Sequence, residues 1–533
     1  MRIRFSTLLT FAILFSVSAK GQTISKQKQD TNTPYQDKHR PQFHFSPPAN
    51  WMNDPNGMVY FEGEYHLFYQ YYPDSTVWGP MHWGHAVSTD LVHWENLPVA
   101  LYPDSLGYIF SGSAVVDWKN TSGLGKNGQL PLVAIFTYHD PEGEKAGRNN
   151  YQTQGIAYSN DKGRTWTKYE RNPVLPNPGI KDFRDPKVRW DEGTKQWLMV
   201  LAAQDRVKFY RSKDLKSWKH LSDFGKQWGG HGGVWECPDF FPMKVGNTTQ
   251  TKWVLLLNIN PGGPNGGSGT QYFVGAFDGK TFRLDDAFAK AVTGEKAVWL
   301  DHGRDNYAGV TWSDVPKTDG RHLFMGWMSN WEYANVVPTE RWRSATTLPR
   351  TLALNQTAAG YRLVARPVKE LEKLRTQSFE PGKMTVTGTL DLTSKLGFAP
   401  TQSEMLLEFE KPAAGIFRVE LSNARGQTYS IGYNASTNQF FSDRTRAGDL
   451  FFSDKFGSKV IFASRDSKDK TVRLHLFFDV ASVEMFADTG TTVMTEIYFP
   501  SDDFDRIRLV AEEKPVNVLK SKVWQIKSIW KNQ

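Results

Sequence analysis

The sequence predicts an all-β protein built as a propeller of at least four blades followed by a β-sandwich. Three observations predict it. From about residue 39 to 350, short alternating runs are separated by Gly, Asn, Asp and Pro turns, the pattern of many short strands. Within that region one element recurs: Ser88-Thr89-Asp90-Leu91-Val92-His93-Trp94, Ser159-Asn160-Asp161-Lys162-Gly163-Arg164-Thr165-Trp166 and Ser212-Lys213-Asp214-Leu215-Lys216-Ser217-Trp218, with Phe277-Asp278-Gly279-Lys280-Thr281-Phe282 as a degenerate copy. Each is a tight turn leading to an aromatic anchor, and their wide, uneven spacing suits four-stranded blades with long loops. Beyond residue 350 the texture becomes dense period-two alternation, which predicts a sandwich.

The elements follow in order. Met1-Arg2-Ile3-Arg4 is a basic end, and the 14 residues from Phe5 to Ser18 are apolar, too short a run for a membrane span; with Ala19-Lys20-Gly21 as a small-x-small site, residues 1–21 are expected to be an export signal. No cysteine lies near that site to carry a lipid, so the expectation is a soluble protein in the periplasm or outside the cell. Residues 22–38 are polar and read as a flexible lead-in. The propeller is assigned to 39–355. A connector at 356–378 contains Val368-Lys369-Glu370-Leu371-Glu372-Lys373-Leu374, a short charged helix with apolar residues at helical spacing. The sandwich occupies 379–533, with strands at Met384–Thr387, Phe417–Leu421, Val472–Leu476 and Thr492–Phe499. No obvious cluster of exposed aromatics stands out there, which favours bracing of the propeller over polysaccharide binding.

Composition excludes several function classes. The 533 residues exceed what one core usually supports. The formal net charge of +8 includes Arg2, Arg4 and Lys20 of the expected signal, and there is no long basic run, zinc-finger spacing or phosphate-cradling loop, so nucleic acid is not an expected partner. Pro261-Gly262-Gly263-Pro264-Asn265-Gly266-Gly267 lacks the strand and helix a phosphate loop requires. The single cysteine, Cys237, forbids an intramolecular disulfide and reads as a small packing residue. Most of the 19 tryptophans are assigned to packing and only a few to ligand contact.

Chemistry is carried by three acidic motifs. Trp51-Met52-Asn53-Asp54-Pro55-Asn56-Gly57 is read as a rigid turn before the strand Met58–Phe61, with Pro55 forcing Asp54 towards an extended backbone. Phe183-Arg184-Asp185-Pro186 and Trp235-Glu236-Cys237-Pro238-Asp239 repeat the device, an acid at the mouth of an aromatic strand with proline next or next but one. One such tripeptide is usually an ordinary turn; three together are not. In a propeller, matching positions of different blades converge on the axis, so acids far apart in sequence can share one funnel. Paired carboxylates with aromatic walls are what glycoside hydrolysis requires. His82 and His85 read as wall residues, since no third ligand at metal spacing accompanies them.

These motifs resemble those of family 32 of the glycoside hydrolases, the β-fructosidases that include invertases, inulinases and levanases. The resemblance extends to Phe43-His44-Phe45-Ser46-Pro47-Pro48, Trp83-Gly84-His85-Ala86, Phe110-Ser111-Gly112-Ser113 and Trp327-Met328-Ser329-Asn330-Trp331, with a weaker echo in Asp479-Val480-Ala481-Ser482-Val483-Glu484-Met485-Phe486. It implies five blades and a retaining reaction with no cofactor or metal. It also implies Asp54 as nucleophile, Glu236 as general acid/base and Asp185 as transition-state stabiliser, with Asn53, Gln70, Trp78, Phe110, Ser111, Arg184 and Trp331 binding a terminal fructose. Pro80 stands where many relatives carry Asn, which puts the loop around Trp78 in question. Arg184 is expected to keep Asp185 ionised. The substrate order implied is fructan chain ends first, levan or inulin, then sucrose. Kept beside this reading are an endo-acting levanase or inulinase, a five-bladed glycosidase for other glycans, and a non-catalytic fructan-binding protein. A calcium site made by the three acids is chemically reasonable but leaves the aromatic walls unexplained. Oligomeric state and linkage preference are not encoded in any motif.

Overall fold

The computed structural model describes residues 35–357 and 360–530. The expected export signal and most of the lead-in lie outside the described residues. From Tyr35 onward the chain is anchored: the Tyr35 ring stacks on Trp530, and Asp37 pairs with Arg40 and Arg341.

The protein is nearly all β, with a five-bladed propeller and a C-terminal sandwich-like sheet. Blade I is Asn50–Phe61, Glu64–Tyr72, His82–Ser88 and Glu95–Leu101; blade II is Tyr108–Val116, Leu132–His139, Gln152–Ser159 and Thr167–Lys168. Blade III is Phe183–Asp191, Gln196–Ala203, Arg206–Ser212 and Lys219–Phe224; blade IV is Val234–Lys244, Thr251–Asn260, Gly269–Phe277 and Phe282–Leu284. Blade V is Tyr307–Thr311, His322–Met328, Arg350–Thr357 and Gly360–Pro367. The first strand of each blade lies innermost and touches the first strands of its neighbours. The ring closes through the parallel pairing of Trp342–Arg343 with Asn50–Trp51 and through bonds between Ser313 and the Met58–Tyr60 backbone.

The recurring Asp element links the third and fourth strands of blades I to IV. Asp90, Asp161, Asp214 and Asp278 each accept backbone N–H groups two to four residues ahead, an Asx turn that caps the hairpin. Blade V has no copy of it among the described residues. Its fourth strand, Gly360–Pro367, pairs with Arg350–Thr357 along its full length, so the blade runs past residue 355, where the sequence pattern placed the end of the propeller. The expected helix at Val368–Leu374 is a 3₁₀ turn, Lys369–Leu374, with Leu371 and Leu374 buried.

The acidic motifs are not turns before strands, as the prolines suggested, but parts of the inner strands themselves. Register shifts flank Pro55, interrupt the pairing partner of Asp185 and follow Glu236. Each bulge turns a carboxylate out of the pleat without ending the strand. Gly57 sits at φ +51° beside Phe68 and Trp83, either of which would lie 2.7 Å from an added Cβ. Asp185 and Cys237 hold positive φ values of 63° and 43°, the uncommon left-handed region for non-glycine residues.

The C-terminal strands form one continuous network in which the 21-residue strand Arg506–Ile526 pairs with Ile416–Ser422 near one end and Ser403–Glu410 near the other. A single apolar core spans blades I, III, IV and V and reaches Phe477, Phe486 and Val493 of the C-terminal module. Among the described residues no helix is long and apolar enough to cross a membrane.

Candidate active site

All ten sequence-predicted site residues line one cavity of about 360 Å³ at the end of the propeller axis where the inner strands begin. Asn53 and Asp54 come from blade I, Phe110 and Ser111 from blade II, Arg184 and Asp185 from blade III, and Glu236 from blade IV. Gln70 is on the second strand of blade I, while Trp78 and Trp331 rise from loops.

Asp54 is held on both carboxylate oxygens: Ser111 Oγ donates to Oδ2 at 2.7 Å and Asn53 Nδ2 to Oδ1 at 2.9 Å. Asn53 is itself fixed by Trp51 Nε1 at 2.7 Å. Burial pushes the Asp54 carboxyl up from its ordinary value, and the nearby Glu236 charge pushes the same way, while the Ser111 and Asn53 donors pull it down. Glu236 accepts from Arg184 Nη2 at 2.7 Å on Oε1 and from the Tyr307 hydroxyl on Oε2.

Asp185 departs from expectation. The Arg184 guanidinium reaches Glu236 and, at 2.6 Å, Asp182, and its Nε stands 4.0 Å from Asp185. Burial, reinforced by the charges of Glu236 and Asp54, outweighs that weaker contact and pushes Asp185 up to about 7. Cys237 also proves to be more than packing. Its N–H donates to Asp185 Oδ2 at 2.9 Å, and its Sγ lies 3.5 Å from Asp54 Oδ2 and 3.6 Å from Asp185 Oδ2. Burial among three carboxylates drives the thiol well up, so it stays protonated and serves as a weak donor to Asp54 and Asp185.

The walls are built from packed rings. Phe110 stacks on His139 with ring centroids 4.2 Å apart, and Trp331 stacks on the buried Trp51 at 5.8 Å. Trp78 packs its edge on Phe110, and its N–H donates to Asn335 Oδ1 at 2.9 Å, so the loop that carries Pro80 is tied to the loop after Trp331. Gln70 Nε2 donates to the Ile109 carbonyl at 3.0 Å and its carboxamide faces the cavity. Neither histidine read as a wall residue lines the cavity: His82 bonds the Pro80 carbonyl, and His85 is buried in blade I, stacked on Phe68 and bonded to His66.

Tyr307, Asn335, Asp182 and His139 escaped the sequence reading. Tyr307 opens the inner strand of blade V, the position matching the acids of the other blades, and that equivalence was the one signal available for it. Asn335 and Asp182 act by holding Trp78 and Arg184, roles visible only in three dimensions.

Clustered carboxylates in an aromatic-edged axial pocket define a protein equipped to cleave glycosidic bonds. Comparison with known proteins agrees. Residues 44–367 match the glycosyl hydrolases family 32 N-terminal domain and residues 370–525 the family 32 C-terminal domain. The chain is similar to a levanase of Bacillus subtilis (strain 168), 48% identical over 99% of this chain and 74% of the levanase. It is also similar to an extracellular exo-inulinase of Aspergillus awamori, 39% identical over 93% of this chain and 96% of that protein. A crystal structure of exo-inulinase from Aspergillus awamori superposes with a TM-score of 0.85 at 38% identity, over 93% of this chain and 100% of that one. The protein belongs to glycosyl hydrolase family 32.

Proposed function

We propose that this protein is an exo-acting fructan β-fructosidase that releases terminal β-D-fructosyl units from levan or inulin, and from sucrose, with retention of configuration. The observation that carries the reading is the convergence of Asp54, Asp185 and Glu236 from three different blades on one pocket. Relatives named levanase and exo-inulinase support the substrate class.

In this reading Asp54 attacks the anomeric carbon while Glu236 gives its proton to the leaving oxygen. Ser111 and Asn53 aim the nucleophile. Glu236, held by Arg184 and Tyr307, then takes a proton from water, which displaces Asp54 and frees fructose. Three carboxylates this close cannot all ionise without cost, which pushes Asp185 and Asp54 up and lets the cluster retain a proton near neutrality. Asp185 accepts hydrogen bonds from the fructosyl hydroxyls and shifts with them as the ring flattens. The tie between Trp78 and Asn335 favours a pocket that receives a chain end over an open cleft. The basic and apolar N-terminal segment, together with a relative named extracellular, supports export.

The test is a timed product profile on levan, inulin and sucrose, with Glu236→Gln as control. Free fructose from the first time point, abolished or greatly slowed in the control, is the expected result. Early oligosaccharides would replace exo action by endo action, and no release from any of the three would leave a fructan-binding protein.

A further inference from the structure

The propeller axis has a second mouth. Where the active site is built from the first residues of the inner strands, later residues of the inner strands of blades II to V line a larger cavity of about 560 Å³, bounded by Val115–Val116, Lys187, Arg189, Trp190, Asp239–Phe241 and Thr311–Lys317. Between the two lies a void of about 10 Å³ touched by Asp185, Lys187 and Cys237, room for about one water and no route for a sugar. The distal cavity is therefore a separate compartment.

Its wall carries an aromatic platform. Of the 19 tryptophans, two expose more than a third of their surface: Trp78, at 38%, which lines the active site, and Trp118, at 52%, which lines the distal cavity. Trp118 is not a loose surface ring. Its Nε1 donates to Asp314 Oδ1 at 2.8 Å, and Phe61 packs edge-on against it at 5.8 Å. Asp314 is held in turn by the Val116 N–H at 2.9 Å. An indole pinned by a hydrogen bond and a ring contact, with half its area in water on a concave wall, presents a preformed stacking face to whatever enters the cavity.

The polar groups around it come in both signs. Arg189 has no hydrogen bond or ion pair among the described residues, and its Nε is buried without an acceptor. Lys119 lies 4.5 Å from the Trp190 ring centre, and Asp314 and Glu192 supply carboxylates. A site for an anion would be of one sign, whereas hydroxyl groups both donate and accept and match a mixed lining beside an aromatic face.

We propose that this distal mouth is a second, non-catalytic carbohydrate site, with Trp118 as stacking platform and Arg189, Lys119 and Asp314 as hydrogen-bonding groups. It holds a neutral oligosaccharide of the class the active site takes, a choice that rests on the fructan reading above. On a polymer, such a site keeps the enzyme on the chain while the opposite face trims ends.

The experiment titrates full-length Glu236→Gln with inulin-type and levan-type fructo-oligosaccharides by calorimetry, alone and combined with Trp118→Ala. The expected result is two sites per chain in Glu236→Gln and one in the double variant. In the otherwise wild-type enzyme, Trp118→Ala and, separately, Lys119→Ala raise KM on polymeric fructan roughly three- to ten-fold, the size of one lost aromatic contact, and leave sucrose kinetics unchanged. Circular dichroism confirms that each variant is folded. A single site in Glu236→Gln that Trp118→Ala does not touch, or an unchanged KM on polymer in both variants, overturns the proposal. Failure of the fructan reading looks different: no oligosaccharide binds at either site and the wild-type enzyme turns over none of the three substrates.

Discussion

Replacing Asp185 by Asn should stabilise the protein while disabling it. A carboxyl pushed up to about 7 is protonated in the native state at pH values where the unfolded chain, with its ordinary value near 3.8, has already lost that proton. Native stability therefore falls as pH climbs from about 4 through about 7, and above that window the whole penalty is present. The displacement of about three pH units corresponds to at most about 4 kcal/mol, and sharing of the charge with Asp54 and Glu236 lowers the expected gain to about 2–4 kcal/mol at pH 8. Asparagine keeps an oxygen to accept the Cys237 N–H, and Arg184 keeps both Glu236 and Asp182, so no buried group loses its partner. Thermal unfolding of wild type and Asp185→Asn at pH 8 and pH 5 is the assay. The midpoint should rise by several degrees at pH 8, the gain should shrink by at least half at pH 5, and kcat should drop by about 10²-fold or more. A variant no more stable than wild type at pH 8, or a gain that does not depend on pH, would refute the idea that the carboxylate cluster is held together at a cost.

Other perturbations test the remaining contacts. Ser111→Ala removes a 2.7 Å donor from Asp54; a hydrogen bond to a charged group is worth about 1.5–3 kcal/mol, so the acid limb of the kcat/KM profile should move up by about 1–2 pH units, and an unmoved limb would mean that Ser111 does not hold the ionised carboxylate. Gly57→Ala places a Cβ 2.7 Å from both Phe68 and Trp83 at a positive φ, three residues from Asp54, and should cost about 2–4 kcal/mol by urea titration and lower kcat as well. Arg350→Met strands Asp301 and Glu484, both fully buried, and should destabilise by about 3–5 kcal/mol or abolish soluble expression, whereas mutating the exposed Arg425–Asp502 pair should leave the midpoint where it is.

The acids were legible because proline and aromatic neighbours give each of them a local signature, and ten residues named from motifs line the same cavity. What motifs do not carry is the partner of each group. Arg184 is adjacent to Asp185 in sequence and lines the same cavity, but its guanidinium reaches across to Glu236 of blade IV at 2.7 Å and leaves only its Nε, at 4.0 Å, near Asp185. Blade number was legible only in part, since the Asp turn caps four hairpins and the sequence between the last two strands of the fifth blade carries no Asp. The proline-rich motifs read as turns because proline and glycine mark turns and bulges alike, and only pairing registers separate the two. Trp118 carries no motif at all, and nothing in its neighbours distinguishes it from a packing tryptophan.

The weak C-terminal motif acquires its meaning from the N-terminal one. Asp479 accepts the Gln42 and Phe43 N–H groups and, at 2.7 Å, His44 Nδ1, while Glu484 takes His44 Nε2 at 3.1 Å, the Leu348 N–H at 2.6 Å and Arg350. Burial alone would pull His44 down, but these two carboxylates hold it up to about 9, so this contact is at full strength below about pH 6.5 and is lost as pH rises through 9. A second buried cluster lies nearer the pocket: Arg444 of the C-terminal module bonds Asp305 at 2.6 Å and the Tyr333 hydroxyl at 2.8 Å. Tyr333 sits between Trp331 and Asn335, the residues that wall the pocket and hold Trp78. Charges buried this completely cannot be separated without leaving some unpaired, so detaching the module from the propeller costs about 3–5 kcal/mol at this pair alone, and Tyr333, two positions from Trp331, is held by a residue more than one hundred positions away. That contact makes bracing a contribution to the site itself: through Arg444 and Tyr333 the C-terminal sheet buttresses the loop from which Trp331 rises.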